Sequence, residues 1–247
     1  HRAAELAQQH QDQGVAAERK SDSSPVTIAD RECERLIASA LENAFPLDGL
    51  LGEEGAAKDS RSGRRWIIDP IDGTRDFLRG TPLWCVLIAL EAAGEVQLGV
   101  AHVPGLGVTS WAVRGGGAFR DGSPLRVSEV TDPAQAFVSI NGLDRTAAGP
   151  LWNRIGGFAA QSWGVRSLGG TPDALLLAQG ALDAWIEPKV APWDLAAVQV
   201  IIEEAGGVFS NFEGSRSIYA GSAWASTPGL EPALRALLNP EAMPEIR

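Results

Sequence analysis

Two aspartates three residues apart, Asp69 and Asp72, follow the apolar run Trp66–Ile68 in the segment WIIDPIDGTRDF. The run predicts a short strand whose end delivers both carboxylates to one turn, with Pro70 fixing the backbone between them. Carboxylate and carbonyl oxygens are the ligands that hard divalent cations prefer, and the carbonyl of Ile71 lies between the two acids. The segment therefore predicts a magnesium site.

A phosphate site is predicted directly beside it. Gly73 lets the backbone approach a ligand closely, and a helix that begins there would point the N–H groups of Gly73 and Thr74 at an anion. A turn followed by an ordinary helix cap is the alternative, but it explains only one of the two carboxylates.

Two further acidic positions extend the pattern. Glu53 and Glu54 in LLGEEG follow an apolar pair, as at the end of a strand, and Asp194 in APWDLAAVQ lies in the predicted first turn of a helix. Taken singly, the glutamates could be a solvated turn and Asp194 a residue favoured by the helix dipole.

The elements that must position these residues differ between the two halves of the chain. In the first half, the spacing predicts a helix between Ala3 and Ala17 and a second helix over Ile28–Ala44, which begins with the capping-box pair Thr27 and Asp30. The segment LWCVLIALEAAGEVQLGVAHVP predicts a hairpin that turns at Gly94 and Glu95.

Further strands are predicted at Thr109–Val113, Gly117–Phe119 and Phe137–Ile140. From Asp173 onward, helical and strand patterns alternate, and PWDLAAVQVIIEEAGG predicts a capped helix that ends at Gly206. We expect an N-terminal α+β half over residues 1–130, carrying GEE and DPIDGT, and a C-terminal α/β half over residues 131–247, carrying the WD motif.

Composition excludes several classes of protein. The 247 residues are 45% hydrophobic and carry a formal net charge of -10, with no basic patch, so nucleic-acid and membrane partners are not expected. An anionic substrate would then need a local positive centre, and a bound metal cation supplies one. The two cysteines, Cys33 and Cys85, lack metal-ligand spacing and suit reduced thiols in a cytoplasmic protein.

The motifs GEE, DPIDGT and PWDLAA, in this order, resemble the three metal-binding motifs of the inositol monophosphatase family, the Mg²⁺-dependent, lithium-sensitive phosphomonoesterases. The segment SPVTIADRECE with Lys20 upstream, GALDAWIEP and EEAGG extend the resemblance over nearly the whole chain. The resemblance implies a layered α-β-α-β-α sandwich of the inositol monophosphatase and fructose bisphosphatase type, of mixed α+β and α/β class. It also implies a homodimer that acts on a small phosphorylated metabolite.

The resemblance further implies the metal ligands. Glu53, Asp69 and the Ile71 carbonyl would hold one Mg²⁺ and Asp69, Asp72 and Asp194 a second, with two or three ions in each active site.

The catalytic residues are implied in the same way. A hydrogen-bonded pair of Asp30 and Thr74, together with Glu53, would position and deprotonate the attacking water. Lys20 would lie on a loop that covers the site.

The substrate is predicted less directly. The segment from Arg79 to Leu90 resembles the histidinol-phosphatase branch of the family. This resemblance favours histidinol phosphate, a compound of histidine biosynthesis, as the substrate. Glu187 matches the family position that contacts the substrate body, and Arg79 and Asp173 are further candidate contacts. That branch often carries Asp after Gly where this chain has SLGGTPD, so Asp173 would have to take over. Inositol 1-phosphate is the alternative, followed by fructose bisphosphate and phosphoadenosine phosphate.

Two other readings remain open. A phosphatase that forms an aspartyl-phosphate carries Asp-x-Asp-Gly-Thr, but Asp69 and Asp72 are one residue further apart and would not project to the same side of a strand. A non-catalytic metal- or phosphate-binding regulator of the same fold would need no group that activates water.

Overall fold

A computed structural model of the protein describes residues 1–14, 16–19, 25–147, 149 and 151–238. The α-helices of these residues are α1 (Arg2–Gln13), α2 (Ile28–Ala44), α3 (Thr74–Arg79), α4 (Leu143–Ala147), α5 (Trp152–Gln161), α6 (Thr171–Ala178), α7 (Pro192–Glu204) and α8 (Glu231–Leu238). The strands of the first half are β1 (Glu18–Arg19), β2 (Pro25–Val26), β3 (Gly49–Gly52), β4 (Ala57–Lys58), β5 (Arg64–Asp72), β6 (Cys85–Ala92), β7 (Glu95–Val103), β8 (Val108–Val113), β9 (Gly117–Arg120) and β10 (Ser123–Pro124). Those of the second half are β11 (Phe137–Ile140), β12 (Gly164–Arg166), β13 (Ala184–Glu187), β14 (Val208–Ser210) and β15 (Ala223–Ser226).

The strands of the described residues form two large sheets and the small pair β1–β2. The first sheet has the order β10-β9-β8-β7-β6-β5-β3-β4 and is antiparallel except where β3 and β5 run parallel. The second has the order β12-β11-β13-β15-β14, with parallel pairs on one side and antiparallel pairs on the other. The first sheet is therefore largely antiparallel, and the second combines parallel and antiparallel pairs.

Alternating side chains on the strands show how the layers stack. On β5, Trp66 and Ile68 pack with α1 and α2, whereas Ile67 faces the opposite side, where α6 and α7 lie. On β15, Ala223 and Ala225 face that same central helix layer, and Trp224 packs with α5 and α8 on the outside. The order of layers is helix, sheet, helix, sheet, helix, which confirms the predicted sandwich.

Most predicted elements form with small changes at their ends. Helix α2 has the predicted bounds and capping box, and the predicted hairpin is β6–β7, which turns at Ala93 and Gly94. Helix α1 ends at Gln13 because Gly14 adopts a positive φ of 76°. Strand β5 continues through Pro70 to Asp72, beyond the predicted end at Ile68, because a register shift between Asp69 and Asp72 removes the need for a proline N–H.

The two large sheets draw on separate stretches of the chain, strands from residues 49–124 and from residues 137–226. The division into halves at residue 130 stays a prediction, since one apolar cluster contains residues from both sheets. Within the described residues, no helix combines the length and apolar character needed to cross a bilayer.

Candidate active site

A cleft of about 330 Å³ opens where the carboxyl ends of β3, β5 and β13 meet the first turns of α3, α6 and α7. Parallel neighbours such as β3 and β5 end at the same edge of a sheet, so the residues that follow them lie side by side. The predicted site residues that line this cleft are Glu53, Asp72, Gly73, Thr74, Glu187 and Asp194. Three distant motifs of the sequence therefore meet in one place.

The end of β5 delivers Asp69 and Asp72 through its irregular turn. Asp69 is buried, and its Oδ1 accepts a hydrogen bond from the N–H of Ile71 at 3.0 Å. Asp72 is partly exposed in the cleft, and its Oδ2 accepts from the N–H of Thr171 at 3.2 Å. The register shift turns both carboxylates into the same space, although the residues are three apart.

Asp194 completes a cluster of three carboxylates. It lies at the third position of α7, where its Oδ2 accepts from the N–H of Ala191 at 2.8 Å. Asp69, Asp72 and Asp194 each offer one carboxylate oxygen, and these oxygens lie within 4.8 Å of one another. Asp69 Oδ2 is buried and has no hydrogen-bond partner among the described residues.

Burial and mutual repulsion make it unfavourable for all three carboxylates of this cluster to be ionised at once. Burial, followed by the charges of Glu53, Asp72 and Asp194, raises the pKa of Asp69 well above its ordinary value. Burial and the Asp72 charge raise the pKa of Asp194 to about 7. Burial also raises the pKa of Asp72, although hydrogen bonds from Thr171 oppose the shift. The carboxylates need either protons or a cation between them.

The donor set fits a hard divalent cation. Closely spaced carboxylate oxygens, one of them buried without a donor, are the ligands that Mg²⁺ and similar ions take.

Glu53 is held beside this cluster by a turn that Glu34 fixes. The N–H of Glu53 donates to Ile68 O at 3.2 Å, and the carboxylate of Glu34 accepts from Glu54 N and Ala56 N, each at 2.7 Å. A Cβ on Gly52 would lie 2.3 Å from Glu34 Oε2, so a larger residue there would displace the Glu34 carboxylate from its backbone partners. Sequence reasoning missed Glu34, although its position one helical turn after Asp30 on α2 places it on the same face of the helix.

Thr74 and Asp30 lie within reach of each other. Thr74 Oγ1 is 3.5 Å from Asp30 Oδ1 and 3.3 Å from Ile71 O, so it has two candidate acceptors for its proton. The other carboxylate oxygen of Asp30, Oδ2, accepts from the N–H and hydroxyl of Thr27 at 2.7 and 2.6 Å. Burial raises the pKa of Asp30, and these hydrogen bonds counteract the rise.

Gly73 begins the short helix α3 in the left-handed conformation, with φ 86°. Any added Cβ would lie 3.0 Å from Leu83 O, and both facts require glycine. Gly73 and Thr74 line the cleft at this point, as the predicted phosphate site requires of them.

Glu187 ends β13 on the opposite wall of the cleft. It is largely buried, and burial together with the charges of Asp72 and Asp194 raises its pKa to about 8. Basic side chains also line the cleft, namely Arg75, Arg145 and Lys189. The cleft therefore offers both signs of charge beside the carboxylate cluster.

Two of the predicted substrate contacts, those by Arg79 and Asp173, are made by residues that do not line the cleft. Arg79 ends α3 and borders a separate surface pocket with Gln11 and Gly80. Asp173 is fully buried behind the cleft. Lys20 lies outside the described residues. Substrate contacts by Arg79 and Asp173 stay untested predictions.

Comparison with known proteins agrees with this geometry. The sequence matches the Inositol monophosphatase family over residues 1–243. A histidinol-phosphatase from Chlorobaculum parvum is 42% identical over 82% of this chain and 78% of that protein, and one from Mycobacterium tuberculosis is 40% identical over 89% and 86%. A solved structure of an IMPase from Thermotoga maritima superposes with a TM-score of 0.88 at 30% identity, covering 97% of this chain and 93% of that one.

Proposed function

The chain belongs to the inositol monophosphatase family, and we propose that it is a magnesium-dependent phosphomonoesterase whose preferred substrate is histidinol phosphate. Hydrolysis of phosphoric monoesters and dependence on a metal follow from the family. The observation that carries the proposal is the carboxylate cluster, in which oxygens of Asp69, Asp72 and Asp194 lie within 4.8 Å of one another in the cleft.

The metal ligands are proposed by position. Asp69, Asp72 and Asp194 would hold one Mg²⁺, and Glu53 with Asp69 and the Ile71 carbonyl would hold another. The proposal is for two or three ions in each active site. When bound, the cations would neutralise the charge of the phosphate and make water a better nucleophile near neutral pH.

The side chains of the protein would orient the water and receive its proton. Thr74 Oγ1 can donate to Asp30 Oδ1 or to Ile71 O, which leaves its oxygen to accept a hydrogen bond from the attacking water. Glu53 would take the proton at its carboxylate. The water oxygen forms a bond to phosphorus, the ester P–O bond breaks, and the alcohol leaves with a proton from solvent.

Gly73 and Thr74 would contact the phosphate through their backbone N–H groups at the edge of the cleft. Glu187 would contact the body of the substrate, and as a carboxylate it suits the ammonium group of histidinol phosphate. The identity of 40–42% with two histidinol-phosphatases supports this substrate.

Steady-state kinetics with two esters tests the substrate. We expect a higher kcat/KM for histidinol phosphate than for inositol 1-phosphate in the presence of Mg²⁺, with lithium as an inhibitor control. The second ester is the alternative because a solved IMPase covers nearly the whole chain with the same fold. A clear preference for inositol 1-phosphate would reverse the assignment, and absence of phosphate release from either ester would favour a regulator without catalysis.

A homodimer is also proposed. Trp163, Val165 and Leu168 are exposed beside β12, and the outer edge of β12 pairs with no strand in the described part of the chain. An open strand edge with apolar side chains is a surface that another chain can cover. Light scattering should give a molecular mass of about twice the 26.0 kDa of one chain. The variant Trp163→Glu should shift the protein to the monomer. A monomeric wild-type protein would contradict the proposal.

A further inference from the structure

The loop between β12 and α6 forms one wall of the cleft. Ser167, Gly169, Gly170 and Thr171 line the cavity on this side. Gly169 and Gly170 both have positive φ, 110° and 60°, so the loop adopts a conformation that other residues rarely take. Because glycine can adopt many backbone conformations, contacts from outside the loop help to hold it in one of them.

Asp173 supplies those contacts from beneath the loop. Its side chain is fully buried, and Oδ2 accepts from Leu168 N at 3.1 Å and from Gly169 N at 3.0 Å. The hydroxyl of Ser139, on the neighbouring strand β11, donates to the same oxygen at 2.7 Å. Oδ1 has no hydrogen-bond partner among the described residues, so every hydrogen bond of this carboxylate passes through Oδ2.

The end of this loop and Thr171, the first residue of α6, in turn contact Asp72. The N–H of Thr171 donates to Asp72 Oδ2 at 3.2 Å, and a Cβ on Gly170 would lie 3.2 Å from the same oxygen. The backbone at Gly170 and Thr171 thus lies directly against the carboxylate of Asp72, and a side chain at position 170 would crowd that carboxylate. A shift of this backbone would therefore change where the carboxylate of Asp72 points.

We propose that Asp173 is a positioning residue for metal binding, which holds loop residues 168–170 so that the N–H of Thr171, the first residue of α6, orients Asp72. This inference rests on the proposed role of Asp72 as a metal ligand. It assigns Asp173 a task other than contact with substrate, which agrees with its place outside the cleft lining.

Calorimetric titration of the folded protein with Mg²⁺ tests the inference without relying on turnover. We expect Asp173→Ala to raise the Kd for Mg²⁺ by about 10- to 100-fold, the range found when groups that orient metal ligands are removed. Asp173→Asn keeps an oxygen that can accept from both N–H groups, although more weakly than a carboxylate, and should restore part of the affinity. If the alanine variant does not fold, the asparagine variant carries the test, and its Kd must exceed that of the wild type.

Asp183 provides the matched control. It is also a buried carboxylate that accepts from a serine hydroxyl, that of Ser128, and from a backbone N–H, that of Phe137 at 2.7 Å, but it precedes β13 at the end away from the cleft. Asp183→Ala should lower the melting temperature while leaving the Kd for Mg²⁺ unchanged. A wild-type Kd in Asp173→Ala, or an equal loss of affinity in Asp183→Ala, would overturn the inference. Absence of Mg²⁺ binding by the wild type would instead refute the proposed function.

Discussion

Single side chains in and around the cleft divide into groups that would contact the reacting atoms and groups that hold those side chains in place. Asp69, Asp72 and Asp194 meet at oxygens within 4.8 Å, which is unfavourable unless charge is neutralised. The buried carboxylate of Glu34 accepts from backbone N–H groups in the turn that follows Glu53. That of Asp173 accepts from backbone N–H groups of the loop beside the cleft. Acidic residues therefore serve both purposes in this protein.

Thr74 is the residue whose replacement separates catalysis from binding. Thr74→Val keeps the shape of the side chain but removes Oγ1, so the water loses its acceptor. We expect kcat to fall about 100-fold or more, the usual range for loss of general acid–base assistance, with the Mg²⁺ affinity retained. Thr74→Ser, which keeps the hydroxyl, should retain most of the rate. Turnover by the valine variant at the wild-type rate would contradict the role of Thr74.

The candidate site was predictable where a local motif carries the chemistry. Asp69 and Asp72 can be recognised in the sequence because two carboxylates and a proline follow an apolar run. Glu53 and Asp194 occupy similar positions at the ends of elements. Glu34 and Asp173 could not be assigned in this way, since their partners are backbone N–H groups that only the folded chain brings near them. Arg79, a sequence neighbour of the motif, borders a separate surface pocket at the end of α3, and its contact with substrate stays a prediction.

At the scale of elements, α7 positions Asp194 by lying close against the first sheet. Gly99 on β7 permits this approach, because an added Cβ would lie 2.5 Å from Ala197 O and 2.7 Å from Val200 Cγ1. The neighbour at 2.5 Å is a helix backbone atom, which cannot rotate away as a side chain would. The close packing of α7 against the first sheet thus depends on the absence of a side chain at Gly99.

Gly99→Ala should consequently force α7 away from the sheet. We expect a loss of about 1–3 kcal/mol in the free energy of unfolding, the usual cost of overpacking a core, together with weaker Mg²⁺ binding because Asp194 moves. Gly157→Ala on α5 is the control, since nothing lies within 4 Å of its added Cβ and alanine favours helix by about 1 kcal/mol. Urea unfolding measures both; equal stability of Gly99→Ala and the wild type would be inconsistent with the packing described.

Elements with strong local signals were predictable, and those formed by tertiary contacts were not. Helix α2 combines a capping box with an apolar stripe, so both its ends are visible in the sequence. Helix α5 contains Gly156 and Gly157, which disfavour helix, and it forms because Ile155 and Phe158 pack on the second sheet. The extension of β5 through Pro70 depends on the irregular pairing with β6, which no local pattern reveals.

The whole molecule carries a formal net charge of -10 and concentrates buried acids at the meeting point of its layers. Stability should therefore depend on pH in a definite direction. In the folded protein without metal, the pKa of Asp194 is about 7 and that of Glu187 about 8, against ordinary values of 3.8 and 4.5. At pH values between the ordinary and the raised pKa of each group, the folded state binds more protons than the unfolded state. The free energy of unfolding therefore falls as pH rises through this range.

We expect the melting temperature of the metal-free protein to fall between pH 5 and pH 8, by roughly 2–4 °C for each kcal/mol lost. Bound Mg²⁺ would replace the protons, so the stabilisation by Mg²⁺ should grow over the same interval. Thermal unfolding with EDTA and with Mg²⁺ at several pH values measures this. A melting temperature that rises with pH in EDTA would contradict the raised pKa values of the buried carboxyl groups.

The central claim is that carboxylates from three distant motifs form one metal site that hydrolyses phosphate esters. Phosphate release from histidinol phosphate, measured against Mg²⁺ concentration for the wild type, Asp69→Asn and the control Asp183→Asn, tests it most directly. We predict Mg²⁺-dependent release by the wild type and by Asp183→Asn, and a loss of more than about 100-fold in folded Asp69→Asn, since a metal ligand matters at least as much as the groups that orient it. Mg²⁺-dependent release by Asp69→Asn at the wild-type rate would contradict the account.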